Sequence, residues 1–542
     1  MSEAPSAAPN AAQVIARRLA AAGCRHAFGI PGGEVLTLID ALDKAGIAFV
    51  LAKHETAAGF MAEGTYQMTG APGILVATLG PGVANAVNVI ANAMQDRVPL
   101  IVLTGRVDPA EAATYTHQVF DHGALLGPIT KASLTAVDGA VDTIIDKAVA
   151  IAGDGQPGPV HVDLPIAVAG APQPGARAIQ RLRPAPAAPA PGAALDGARA
   201  LLAASTRPLL IAGVDAVTQN AAPTVAAFAR DFAMPVITTY KAKGVLPEDD
   251  RLSLGGAGLS PKADACLMPL IEAADCIVLA GYDPIEMRVG WRRPWPDDAP
   301  VIEFTAAPPT HGMHQARFGF VGDIGAGIAV LRDGAAPRPV WADGAPERVR
   351  AALAEAFPAS EDWGPAAVVD ATRRALPDDA VVAVDTGAHR ILLSQIWRCP
   401  APRTLLQSSG LCTMGCALPL AIGAKLAAPG RPVAAVVGDA GLEMVLGELA
   451  TARDRRLGLP VVVFVDASLA LIELKQRRSQ LANLGVDFGA TDFPAVAEAM
   501  GGVGVMAGDR KTLAGETAAA LARETFTLIA CPIGRHAYDD RF

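Results

Sequence analysis

Charge is scarce in this chain. Only 18% of its 542 residues are Asp, Glu, Lys or Arg, and the net charge of −9 is spread rather than blocked. No basic face is on offer, which argues against nucleic acid or an anionic membrane as partner. Long hydrophobic runs are missing too. No 18-residue apolar stretch escapes interruption by charge, Gly or Pro, so no membrane span is expected. The opening MSEAPSAAPNAA lacks a charged segment followed by an apolar one, so it does not read as a secretory signal. Cysteine motifs are absent as well. The seven cysteines are odd in number and contain no CxxC, which points to free thiols and a cytoplasmic protein. Cys412 and Cys416 have no second Cys/His pair beside them and read as small buried residues.

Apolar residues, by contrast, make up 51% of the chain, enough for large cores and about three domains of ordinary size. Low charge with abundant Ala and Gly also suits surface hidden between subunits. Short apolar runs at 26–30, 49–51, 73–78 and 100–104 alternate with helical patterns at 35–44, 56–69 and around 85–96, the signature of a parallel α/β domain. Its functional loops should follow the strands, at 31–33, 54–55 and 80–82. Residues 105–131 form a longer polar excursion suited to an active-site loop. A Pro/Ala-rich linker is expected over 167–196. Strands then recur at 208–212, 235–238, 276–280 and 301–304, a second linker at 334–348, and strands at 380–384 and 527–531. The expected fold is therefore α/β, with three doubly wound parallel-sheet domains spanning 1–170, 195–335 and 350–542.

The most informative stretch is 432–468. Residues 433–437 and 461–465 are β-branched runs, and Leu442, Val445, Leu446 and Leu449 recur between them at helical spacing. This is a βαβ unit with parallel strands. Each strand ends in an acid, Asp439 and Asp466, so both carboxylates belong at the carboxyl edge of one sheet, where open α/β sheets bind ligands. Gly438, Ala440 and Gly441 surround the expected helix start, where free N–H groups suit a phosphate. Two hard carboxylates facing such a start make a Mg²⁺–diphosphate site. An ordinary βαβ unit with acids at its strand ends fits the pattern equally well.

Gly438-Asp439, Asp466 about 27 residues on, and Ser468 together resemble the signature of thiamine-diphosphate (ThDP) enzymes. The resemblance implies that Asp439, Asp466 and the carbonyl of Ser468 hold Mg²⁺. Ala440 stands where Gly is commonest in the family, and Val465 where Asn often precedes the ligand. HETAAGFMAEG (54–64) is similar to the family segment whose Glu activates the cofactor's aminopyrimidine, here Glu55; in isolation Glu55 reads as a solvated helix-start acid. Met414, in GLCTMGCALPLAIGAKLA (410–427), takes the place of the apolar wedge that bends the cofactor; by itself it is a core Met. The same resemblance implies that Gly33, Pro81, Asn85, Gly387, His389 and Thr413 line the cofactor, with a packing histidine as the alternative at 389.

THQVFDHGALLGPITK (116–131), AGYDPIE (280–286), LIELKQ (471–476) and GVDFGATDF (485–493) narrow the resemblance to acetolactate synthases, closest to the flavin-free catabolic type. That implies decarboxylation of a 2-oxo acid, pyruvate by default, and carboligation to a second carbonyl. Gln118, of the HQ pair, would touch the reacting centre, though a polar loop residue is its plain reading. The assembly implied is a homodimer or homotetramer with active sites at the subunit interface. Another ThDP-dependent decarboxylase, 2-hydroxyacyl lyase or cyclic-dione hydrolase stays open, as does a non-catalytic paralogue, although Glu55 and both aspartates are present. Three features depart from the family pattern. GYDPIEMR stands where flavin-binding relatives carry an RF-x-D-R-type segment, so FAD is not expected. The ending CPIGRHAYDDRF does not match, and Trp291, Arg292, Arg293 and Trp295 form a cluster with no assigned place.

Overall fold

The computed structural model describes residues 8–178, 185–296, 298–333, 336 and 340–542. Most of the N-terminal tail and parts of both expected linkers (179–184, 334–335 and 337–339) lie outside the described residues. The rest forms three six-stranded sheets, all parallel. The chain divides into two compact units.

The first unit comprises the N-terminal part of the chain with Leu411–Gly430 and Val445–Leu457. Its strands are β1 (His26–Gly29), β2 (Ala48–Leu51), β3 (Gly73–Ala77), β4 (Leu100–Arg106), β5 (Ala132–Thr135) and β6 (Val160–Pro165), in the order β2-β1-β3-β4-β6-β5. Ile74, Val76, Ile101, Leu103, Val160 and Val162 are buried in its core, as β-branched runs on a doubly covered sheet should be. The helix Glu55–Thr69 starts at His54, whose Nδ1 accepts the Thr56 N–H, and stops at left-handed Gly70 (φ +73°). It packs backbone to backbone on the helix Ala417–Ala427. A Cβ on Gly423 would sit 1.9 Å from the Met61 carbonyl oxygen, and one on Gly64 2.3 Å from that of Leu420. Glycine is what allows this approach. Buried Glu448 fastens the other inserted segment: its Oε1 accepts the backbone N–H groups of Lys53 and His54.

The second unit holds two sheets. The middle sheet comprises β7 (Pro208–Ala212), β8 (Val236–Thr238), β9 (Ser253–Gly256), β10 (Cys276–Ala280), β11 (Val301–Thr305) and β12 (Phe318–Val321), ordered β12-β11-β10-β7-β8-β9. Trp291 and Trp295 are buried against one of its faces with Leu279, Tyr282 and Trp341, while Arg292 and Arg293 are exposed. The tryptophan cluster is thus core. The last sheet comprises β13 (Val381–Val384), β14 (Leu405–Leu406), β15 (Val433–Gly438), β16 (Leu459–Val465), β17 (Val503–Met506) and β18 (Phe526–Pro532). Its order, β14-β13-β15-β16-β18-β17, repeats that of the first sheet.

Two local expectations are revised. The expected linker 167–196 contains helical residues at both ends, in Ile166–Gly170 and Ala193–Ala204. The helix after Asp439 is not continuous: it breaks into Asp439–Glu443 and Glu448–Asp454. No disulfide joins any of the seven cysteines. Among the described residues no helix is long and apolar enough to cross a membrane.

Candidate active site

In the second unit, the last sheet reverses its strand order between β13 and β15, and the loops after these strands flank the crevice where such sheets take ligands. Asp439 follows β15 and is buried. Its Oδ1 accepts the Ala440 N–H at 2.8 Å. Its Oδ2 accepts the N–H groups of Asp466 at 3.0 Å and Ala467 at 2.7 Å. One carboxylate therefore shapes the turn that carries the other. Ala467 is left-handed (φ +53°), a strained choice for a residue with a Cβ. Ser468 is buried; its N–H reaches Asp466 Oδ1 at 3.3 Å and its hydroxyl donates to Asp487 Oδ1 at 2.9 Å.

Crowding two acids has an electrostatic cost. Burial, and then the Asp439 charge, push the Asp466 carboxyl up to about 7. Burial raises Asp439 as well, against the backbone N–H groups it accepts. A divalent cation between them would remove that cost.

The loop after β13 supplies the neighbours. Gly387 opens the helix Ala388–Ile396, and His389 lies in its first turn. The His389 ring stacks on Phe464 of β16 at 5.4 Å, and a Cβ on Gly438 would come within 3.1 Å of its Cε1. Burial, helped by the Arg390 charge, lowers the ring to about 3, so it is neutral at physiological pH. Its Nε2 is buried without a hydrogen-bond partner, and so is Thr386 Oγ1 in the same loop. Both atoms are available to a ligand in this loop. Two acids, a neutral imidazole nitrogen and a hydroxyl, all around adjacent strand tips, fit a hard cation bound to a diphosphate. Gly441 is buried in the short turn after Asp439. Of the expected residues, Gly387, His389, Gly438, Asp439, Ala440, Gly441, Asp466 and Ser468 all belong to these loops and turns.

The first unit holds the remaining candidates. Glu55 is the first residue of its helix, after β2, and is only 4% exposed, not the solvated acid of the plain reading. Asn85 Nδ2 donates to its Oε2 at 3.0 Å, while its Oε1 lies 3.3 Å from the point where a Cβ on Gly82 would stand. Asn85 and Pro81 belong to the helix Pro81–Gln95, which begins at left-handed Gly80 (φ +66°). A Cβ on Gly80 would meet the Gln118 carbonyl oxygen at 2.5 Å, so the Gln118 backbone rests on this turn while its side chain is exposed. Glu55, Pro81, Asn85 and Gln118 are thereby linked. Gly33 opens the turn Gly33–Val35 at the same carboxyl edge and is exposed. Thr413 donates to Asn88 Oδ1 at 3.1 Å. Met414 is half-buried, between left-handed Cys412 and Gly415. Thr386, Asp487 and Glu448 are missed by sequence reasoning. Only Asp487, inside the quoted segment 485–493, carried a signal that could have found it.

Residues 9–125 match the family model for the thiamine pyrophosphate enzyme N-terminal TPP binding domain, 195–331 that of the central domain, and 385–531 that of the C-terminal TPP binding domain. The chain is 31% identical to the acetolactate synthase isozyme 1 large subunit of Escherichia coli (strain K12), over 86% of this chain and 83% of that one. It is 29% identical to the acetolactate synthase of Bacillus subtilis (strain 168), over 91% and 88%. It is also 32% identical to the probable 2-ketoarginine decarboxylase AruI of Pseudomonas aeruginosa, over 87% and 84%. With three α/β sheets and all three family domains present, the chain belongs to the thiamine-diphosphate-dependent enzymes of the acetolactate synthase type.

Proposed function

We propose that this enzyme decarboxylates a short 2-oxo acid, pyruvate by default, and joins the remaining fragment to a second carbonyl compound. The observation that carries the reading is the Asp439–Asp466 pair beside the unpartnered Nε2 of His389. Asp439, Asp466 and the Ser468 carbonyl would hold Mg²⁺. Gly387, His389, Gly438, Ala440 and Gly441, joined by Thr386, would take the diphosphate. Bound ThDP supplies the electron sink that lets a 2-oxo acid lose CO2.

The protein's part is orientation and proton control. The Asn85 bond to Oε2 fixes the Glu55 carboxylate plane, and Oε1 would be the oxygen that holds or gives up a proton toward the aminopyrimidine. Gly33 and Pro81 would border the same ring, Thr413 and Met414 would support the cofactor, and Gln118 would face the substrate carbonyl. The middle sheet needs no FAD for this chemistry. The working assembly is a cytoplasmic homodimer or homotetramer with its active sites at the subunit interface.

The 32% identity to a probable 2-ketoarginine decarboxylase favours a second reading, decarboxylation without ligation of a longer, cationic 2-oxo acid. One assay separates them. The enzyme is given ThDP and Mg²⁺ with pyruvate, 2-oxobutyrate or 2-ketoarginine, and CO2 and carbon products are quantified. Acetolactate from pyruvate supports the first reading and aldehyde from 2-ketoarginine the second. Consumption of no 2-oxo acid overturns both.

A further inference from the structure

The turn between β3 and the helix Pro81–Gln95 is held from behind by a buried hydrogen-bond chain with a fixed direction. Thr104 Oγ1 donates to Asp163 Oδ1 at 2.6 Å, so the oxygen of that hydroxyl is left to accept from His161 Nε2 at 2.7 Å. His161 Nδ1 then accepts from Ser133 Oγ at 2.7 Å. On the other side of Asp163, His122 Nδ1–H donates to Oδ1 at 2.8 Å, and His122 Nε2 accepts the Gly80 N–H at 3.3 Å. His122 thus donates through Nδ1 and accepts through Nε2, and every ring nitrogen of the pair is committed to a hydrogen bond.

The charged and titratable groups facing His122 are Asp163, His161 and, through Asp163 Oδ2 at 3.3 Å, Arg106; the Phe120 ring covers it at 5.0 Å. Burial works against the Asp163 charge, but the bonds from His122, His161 and Thr104 hold the carboxyl well below the usual carboxylate range. Asp163 stays an acceptor, which keeps the proton of His122 on Nδ1.

We propose that His122 is a positioning residue. Its ring, aligned by Asp163, accepts the Gly80 N–H and so holds the turn from which Asn85 reaches Glu55 and on which Gln118 rests. The consequence for turnover rests on the functional reading above; the hold on the turn does not.

Hydrogen exchange of the full-length chain, followed by mass spectrometry in peptides covering residues 78–86, tests this directly. His122→Phe should raise exchange there about tenfold or more while peptides from the last sheet stay unchanged. His122→Gln, whose carbonyl can accept the Gly80 N–H, should restore protection. ThDP affinity should weaken in His122→Phe and recover in His122→Gln. Wild-type protection in His122→Phe, or no recovery of protection in His122→Gln, would overturn the proposal. Altered exchange in a protein that binds no ThDP at all would leave the turn assignment standing and remove the cofactor reading instead.

Discussion

Asp439 accepts the backbone N–H of Asp466 at 3.0 Å, so the carboxylate at the tip of β15 builds the turn that carries the carboxylate at the tip of β16. The two acids therefore answer differently to substitution. Asp439→Ala strands the Asp466 and Ala467 N–H groups and should cost about 1–3 kcal/mol in denaturant melts. Asp466→Asn removes a crowded charge and should leave the metal-free midpoint at or above wild type, yet weaken Mg²⁺-dependent ThDP binding about 100-fold. Equal midpoints for Asp439→Ala and wild type would refute the bracing role.

The acid pair also sets a pH dependence. With Asp466 raised to about 7, the metal-free folded chain keeps a proton that the unfolded chain gives up at ordinary carboxylate pH. Between those two values the folded state binds more protons, so this group's stabilising contribution declines as pH rises, and is lost above about 7. Mg²⁺ needs the ionised form, so its affinity should fall as pH drops below 7, and binding near neutrality should release a proton. Calorimetry in buffers of different ionisation enthalpy reads that proton. A metal affinity flat from about pH 5.5 to about pH 8 would count against the site.

Glu55→Gln keeps an oxygen for Asn85 but cannot exchange a proton. Turnover should drop about 10²- to 10⁴-fold, with ThDP affinity changed by less than about tenfold. An unchanged kcat in this variant would remove Glu55 from its proposed role.

Helix contact in the first unit depends on missing side chains. A Cβ at Gly423 would enter the Met61 carbonyl at 1.9 Å, whereas one at Gly430 meets nothing within 4 Å. Gly423→Ala should therefore cost about 1–3 kcal/mol or more, and Gly430→Ala within about 0.5 kcal/mol, by the same melts. Similar midpoints for the two would show that the helices can part without penalty.

The sequence made β15 and β16 visible because they are central strands buried on both faces, and such strands must be continuous β-branched runs. Their terminal acids were legible for the same reason: a charge directly after such a run marks the sheet edge. Edge strands such as β14, with two residues, and β12, half of whose residues are exposed, carry no such signal. The break after Glu443 was hidden because Leu442, Val445, Leu446 and Leu449 keep helical spacing across it. What decides the break is long-range, since Glu448 is claimed by the backbone of Lys53 and His54. His122 reads locally as one more polar residue of a loop; its partners arrive from β6 and the Gly80 turn. Trp291 and Trp295 had no assigned place because arginines stand between them and their burial comes from the distant strands of the middle sheet.

Calorimetric titration of the full-length chain with ThDP, once with Mg²⁺ and once with EDTA in its place, tests the metal-bridged cofactor site most directly. The expected result is one cofactor per chain with Mg²⁺ and binding at least about 100-fold weaker without it. No binding in the presence of Mg²⁺, or the same affinity in EDTA, would contradict the assignment of Asp439, Asp466 and Ser468.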